Sequence, residues 1–323
     1  MRRRHTVLAG AIGILGVLAT VLTVGGAAAG AATRAKPLPV PYTFLTSAVI
    51  AGLQVNADPP GANQWGCKPS AAHPEPVVLV HGLAGNKSTN WQTYAPLLKN
   101  NGYCVYSLTY GQTPYLPVPY NQVIGGLTAM EASAVQLQAF VAKVLASTGA
   151  RKVDILGHSE GTVVPDYYAK FLDGAKYIDN YVSLAPLWHG TNLAGFATMF
   201  RYANAMGLTS VINAAFAPFF ASGPELLTGG AFITKLRSGG TPGVPGIRYT
   251  NIVTKYDELV SPYTSGIQAG MKNYTVQDFC KLDFTEHFEI AADPVAAQIV
   301  LNTLDPAHPH AVPCRLVLPF VGG

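Results

Sequence analysis

The run GHSEG, Gly157 to Gly161, holds Ser159 between two glycines at the end of the apolar stretch VDIL, a placement that suits a nucleophile. A serine hydroxyl attacks a carbonyl only with help. A base must take its proton, a third group must orient that base, and donors must stabilise the developing oxyanion. The chain supplies a candidate for each. His287, in FTEHFEIAADP, is the expected base, and Asp257, in NIVTKYDELVSP, the expected orienting acid. The oxyanion donors are expected to be the backbone N–H of Glu160, which follows the serine, and that of Leu83 in HGLAG. Gly82 and Gly85 allow that loop to approach a substrate closely. Together these residues describe acyl transfer through a covalent intermediate on Ser159.

The other histidines are set aside by position. His5 lies in the N-terminal leader, His73 before the first strand, His308 and His310 in a Pro-rich tail, and His189 ahead of a long helical stretch. His81 and His158 flank glycine turns and read as structural. Glu258 and Asp283 compete with Asp257 as the acid, and Glu286 or Glu289 would hold His287 if it were an ordinary loop residue.

These residues need strand ends to carry them. Val77 to Val80, Tyr103 to Leu108, Lys152 to Leu156, YIDNYVSL and GIRYTNIVT read as strands. AMEASAVQLQAFVAKVLAST and DPVAAQIVLNTL read as amphipathic helices. Strands alternating with helices predict a mostly parallel central sheet covered on both faces, with sites at the carboxyl ends of its strands. Residues 33–74 read as a surface segment before the main α/β region of 75–323. Residues 189 to about 246 hold no clear strand and include FATMFRYANAMGLTSVINAAFAPFFASG, apolar around most of its circumference. This stretch is expected to form a helical cap over an apolar binding site.

Composition narrows the setting. Charged residues make up 12% and hydrophobic ones 49%, so the surface is poor in charge. Arg2 to Arg4, an apolar run from Val7 to about Val24 and small residues to Ala32 have the layout of a secretory signal peptide, residues 1–32. Its removal takes three arginines and no acids and lowers the formal charge from +4 to about +1. No basic run remains to neutralise phosphates, so nucleic acid is not an expected partner. Cys67, Cys104, Cys280 and Cys314 are not spaced as metal or redox clips. In an exported chain they read as two disulfides. Of three connectivities, Cys67 with Cys104 and Cys280 with Cys314 would staple the regions before and after the sheet, each stabilising by about 3 to 4 kcal/mol.

WGCKPSAAHPEPVVLVHGLAGN, GYCVYSLTYG, DILGHSEG, LAPLWHGT, KYDELVSPY and EHFEIAADP occur in that order between about Trp65 and Pro306. With these landmarks the chain resembles the α/β-hydrolase superfamily, specifically secreted bacterial triacylglycerol lipases and esterases of actinobacterial type. The resemblance implies the α/β-hydrolase fold, the triad Ser159, Asp257 and His287, Leu83 and Glu160 as oxyanion amides, and a carboxylic ester substrate. No metal or organic cofactor is implied. A secreted monomer that meets lipid interfaces transiently is the expected setting. Glu160 departs from the pattern, standing where many lipases carry Met or Gln, and as a carboxylate it would raise the pKa of the histidine and discourage anionic substrates. The same triad would also serve an acyltransferase or an esterase of polyesters or cell-wall lipids. A secreted lipid-binding protein without turnover is the non-catalytic alternative.

Overall fold

The computed structural model describes residues 36–193 and 220–323. The expected signal peptide and residues 196–219 of the apolar cap stretch lie outside the described residues. Among the described residues six strands form one sheet: β1 Val77–Val80, β2 Val105–Leu108, β3 Val153–His158, β4 Ile178–Leu184, β5 Arg248–Val253 and β6 Lys272–Thr275. Their order is β2-β1-β3-β4-β5-β6, and every pairing is parallel. Among the described residues, the helices of seven residues or more are α1 Phe44–Gly52, α2 Tyr94–Asn100, α3 Met130–Thr148, α4 Val164–Phe171 and α5 Pro294–Leu304.

The sheet is buried on both faces, which is why its central strands read as unbroken apolar runs. Val78 and Val80 join one core with Met130, Leu137 and Val141 of α3 and Tyr168 of α4. Val77 and Leu79 point the other way, into a core with Trp91, Leu98 of α2 and Val300 of α5. Helix α3 lies flat on the sheet because its apolar residues recur at helical spacing, and it stops at Gly149, whose φ of 79° is the left-handed cap that glycine accepts. Helix α5 starts where Pro294 sets φ and the Asp293 carboxylate accepts from the N–H groups of Val295 (2.6 Å) and Ala296 (2.9 Å).

The expected parallel sheet flanked by helices is therefore present, with four local differences. The second strand begins at Val105 rather than Tyr103, after Cys104, which is bonded to Cys67. The third runs on to His158, so Ser159 follows its last residue directly. Strand β6 is not apolar enough to show in the sequence, since Lys272 and Asn273 are exposed at the sheet edge. The segment read as surface wrapping contains α1, an exposed helix whose only buried residue is Ala51. In the expected cap region the described residues form short helices at Ser222–Glu225 and Ala231–Leu236 and no sheet strand. Cys280 and Cys314 form the second disulfide.

Candidate active site

Ser159 occupies a turn too tight for ordinary residues. Its φ is 54°, a conformation that costs energy in a residue with a Cβ and aims the side chain above the sheet. Both flanking glycines are dictated by sterics. A Cβ on Gly157 would lie 2.1 Å from the Gly161 carbonyl oxygen, and one on Gly161 would lie 2.0 Å from that of Val80. No larger residue fits either place, so the GxSxG spacing is the footprint of strand β3 turning sharply against β1.

The elements beyond the sheet bring the other two groups to this serine. His287 Nε2 lies 2.8 Å from Ser159 Oγ, and His287 Nδ1 lies 2.9 and 3.0 Å from the two oxygens of Asp257. All three side chains are buried. Asp257 follows β5 and is fixed by its own turn, where Oδ1 accepts from the N–H groups of Leu259 (3.1 Å) and Val260 (2.7 Å). Thr254 joins the acid loop to the histidine loop by donating to the Thr285 carbonyl at 2.6 Å. The rival acids have other work. Glu286 accepts from the N–H groups of Phe288 and Glu289, Glu258 accepts from the His287 N–H at 3.3 Å, and Asp283 accepts from the Thr285 N–H.

Charge follows from this geometry. Burial acts to lower the His287 pKa, but the Asp257 carboxylate bonded to Nδ1 outweighs it, helped by Glu258 and Glu286, and the net result lies above the ordinary histidine value. Nδ1 therefore carries the proton shared with Asp257, and Nε2 is left to accept from the serine. Glu160 is not among the groups that raise His287. Its side chain is fully buried beneath the turn, and burial pushes its carboxyl well above the usual range. The expected rise of the histidine pKa from Glu160 is thus supplied instead by Asp257, Glu258 and Glu286.

The loop after β1 lies against the serine. A Cβ on Gly82 would meet Ser159 Cβ at 3.1 Å, and the Gly82 N–H donates to Asn90 Oδ1 at 3.1 Å. Among the described residues neither the Leu83 N–H nor the Glu160 N–H donates to a protein acceptor. Two supports were not apparent in the sequence as site residues. Asn90 holds Gly82, and His158 Nε2 lies 2.8 Å from the His287 carbonyl oxygen. Burial, with the neighbouring His287, pulls the His158 pKa down to about 3, so the ring is neutral and Nε2–H donates. The fixed His81, whose Nδ1 lies 2.8 Å from the Gly82 carbonyl, is structural.

Above Ser159 and His287 opens a pocket of about 490 Å³, within the size range of small-molecule sites. Leu83, Leu187, Val260 and Phe288 line it from the sheet side, and Phe44, Leu45, Ala48 and Val49 of α1 from the other. The α1 wall had no signal in the sequence beyond its apolar residues. The Phe44 ring packs on His158 and Phe288, and its N–H donates to both Glu289 oxygens, at 3.2 and 3.0 Å.

Comparison with known proteins places this geometry in a family. The family model described as Lipase (class 2) matches residues 74–300. A triacylglycerol lipase of Pseudarthrobacter phenanthrenivorans is 31% identical over 157 residues, 46% of this chain and 44% of that protein. One of Burkholderia plantarii is also 31% identical over 157 residues, 46% of this chain and 40% of that protein. The chain thus spans less than half the length of these curated relatives. Aspergillus fumigatus lipase B has a similar fold at 18% identity, with a TM-score of 0.57 over 79% of this chain and 56% of its own. The mature Bacillus licheniformis lipase BlEst2 matches with a TM-score of 0.50 at 16% identity, over 78% of this chain and 96% of its own.

Proposed function

The chain belongs to the class 2 lipase family, and from that premise we propose that it hydrolyses carboxylic esters of lipids through an acyl-enzyme on Ser159. The observation that carries the reading is the continuous Ser159–His287–Asp257 relay opening into an apolar pocket. Ser159 Oγ attacks the ester carbonyl while His287 Nε2 takes its proton. The Leu83 and Glu160 amides hold the oxyanion, and the tetrahedral intermediate collapses with the alcohol leaving on the proton from His287. Water, deprotonated by His287, then attacks the acyl-enzyme, and the carboxylic acid departs from a regenerated serine.

Triacylglycerols are the substrate class that the pocket lining and the triacylglycerol lipase relatives favour. The leader-like N-terminus and the order of the motifs support a secreted enzyme of actinobacterial type, and the lack of a basic run in residues 33–323 supports no role for nucleic acid; a monomer completes the reading. Nothing in the reaction calls for a metal or organic cofactor.

Labelling with a fluorophosphonate probe and hydrolysis of p-nitrophenyl esters of increasing chain length test the reading. Wild type is expected to be labelled and to cleave long as well as short esters, and emulsified triolein. Ser159→Ala should remove labelling and lower turnover on the order of 10⁴-fold or more. An unlabelled wild type would overturn the hydrolase reading, and a sharp optimum at acetate without triolein cleavage would reduce it to a small-ester esterase. Ester products formed with an added alcohol would reveal transfer rather than hydrolysis.

A further inference from the structure

The side chain next to the nucleophile is a fully buried acid. Glu160 is 0% exposed, and neither carboxyl oxygen accepts a hydrogen bond among the described residues. Its immediate neighbours are the hydroxyls of Tyr110 and Ser222. Each hydroxyl has one proton, and each has already given it away. Tyr110 donates to the His81 carbonyl at 2.7 Å, and Ser222 donates to the Gly126 carbonyl at 2.6 Å. With those protons committed to carbonyls, lone pairs are what the two oxygens can turn toward Glu160, where they would accept from a carboxylic acid, and the hydroxyls offset only part of the rise that burial gives the carboxyl. Among the described residues no lysine or arginine acts on the carboxyl; the other charged neighbour is Glu225, itself an acid. His81, against which the Tyr110 ring stacks, is neutral, its pKa pulled down to about 4 by burial.

The position of this acid gives it a task. Glu160 Oε1 would lie 2.9 Å from a Cβ on Gly126, so the carboxyl rests directly on that glycine, which is 3.2 Å by the same measure from Leu83 Cα. Gly126 donates to the Tyr110 carbonyl, its neighbour Gly125 donates to Gly85, and Gly85 donates to Gly82, each at 2.8 to 3.0 Å. Ser222 bonds Gly126, and the Ala221 N–H bonds Leu127 at 2.8 Å. One carboxyl therefore sits where the loop bearing Leu83, the Gly125–Gly126 turn and the Ser222 helix meet.

We propose that Glu160 is a positioning residue whose carboxylic acid proton is donated to the Tyr110 or Ser222 hydroxyl, locking together the segments that hold the two oxyanion amides. The inference rests on the acyl-transfer reading for its kinetic consequence, but not for the protonation state of the acid. Glutamine, a neutral donor of the same shape, should replace it; alanine should not.

Two measurements test this on the full chain. In the infrared difference spectrum of wild type minus Glu160→Gln at pH 8, the band of a protonated carboxyl is expected; a carboxylate pair in its place would overturn the proposal. With p-nitrophenyl butyrate, Glu160→Ala should lower kcat by at least about tenfold with KM within about twofold, as a disturbed oxyanion site does. Glu160→Gln should recover kcat to within about threefold of wild type, with the wild-type melting temperature. A Glu160→Gln protein that is as impaired as Glu160→Ala, or that does not fold, would overturn it equally. A wild type that cleaves no ester would instead defeat the hydrolase reading, and the infrared band would still report on Glu160.

Discussion

The pocket over Ser159 has two unlike walls. On the sheet side Ser159 is 8% exposed and His287 3%, and each is fixed by neighbours that are themselves bonded: Asp257 by its turn, the histidine loop by Thr254 and His158. On the other side α1 leaves Val49 68% exposed and Leu53, just past its end, 81% exposed, and its N-terminus makes no side-chain cap. Among the described residues it is tied to the sheet side by the Phe44 N–H to Glu289 and by tilted contacts of the Phe44 ring with His158 and Phe288. The first wall has one geometry, as bond-making requires within fractions of an ångström. The second offers apolar area without directional bonds, which suits acyl chains that differ in length.

The sharpest way to break this contrast is at Asp257. Asp257→Asn keeps the shape but cannot stabilise the imidazolium and favours the wrong tautomer, so kcat should fall by about 10³- to 10⁴-fold, read from single-turnover kinetics. Because Asp257 is the main group raising the His287 pKa, the acid limb of kcat/KM in wild type should lie above the ordinary histidine value. In the residual activity of Asp257→Asn it should move to lower pH. An unchanged limb would mean that His287 is not the titrating base.

The body of the fold and α1 should also differ in their response to pH. Burial pushes Asp154, Asp166, Glu225 and Glu289 up to about 7 each, while the residues of α1 do not titrate. A carboxyl that holds its proton more tightly folded than unfolded contributes stability that is complete below its unfolded value near 4 and is lost as pH rises through about 7. The raised His287 acts with the same sign. The melting temperature should therefore fall by several degrees between pH 5 and pH 8, while activity, which needs neutral His287, rises. Asp154→Asn should flatten the melting curve against pH; a melting temperature that rises over this interval would contradict the assignment.

These contrasts also explain what the sequence discloses. Ser159, Asp257, His287 and the loop at Leu83 stand out because their demands are local: Gly157 and Gly161 have no alternative at 2 Å separations, and strand ends follow from apolar runs. The neutrality of Glu160 does not stand out, since it depends on where Tyr110 and Ser222 send their protons. Helix α1 is hidden for a similar reason. Phe44 meets Glu289 across 245 residues, and no capping side chain marks the helix start. Edge strand β6 lacks the buried apolar run that betrays the others.

The mildest perturbation is the one that separates the walls most cleanly. Val49 lines the pocket yet is mostly exposed, so Val49→Asp leaves the fold nearly as stable as before, within about 0.5 kcal/mol. A charge there must be desolvated when a long acyl chain lies along α1, whereas an acetyl group confined near Ser159 does not reach it. On p-nitrophenyl palmitate kcat/KM should drop by about three- to tenfold, with the acetate ester within about twofold. Equal loss on both esters would show that α1 positions the catalytic residues through Phe44 and Glu289. Loss on neither would show that acyl chains leave the pocket along the Leu187 and Val260 side. Leu53→Asp, just past the end of α1, exposed and outside the pocket lining, distinguishes a wall from a surface contact: it should leave dissolved palmitate ester unaffected and slow hydrolysis only of emulsified substrate.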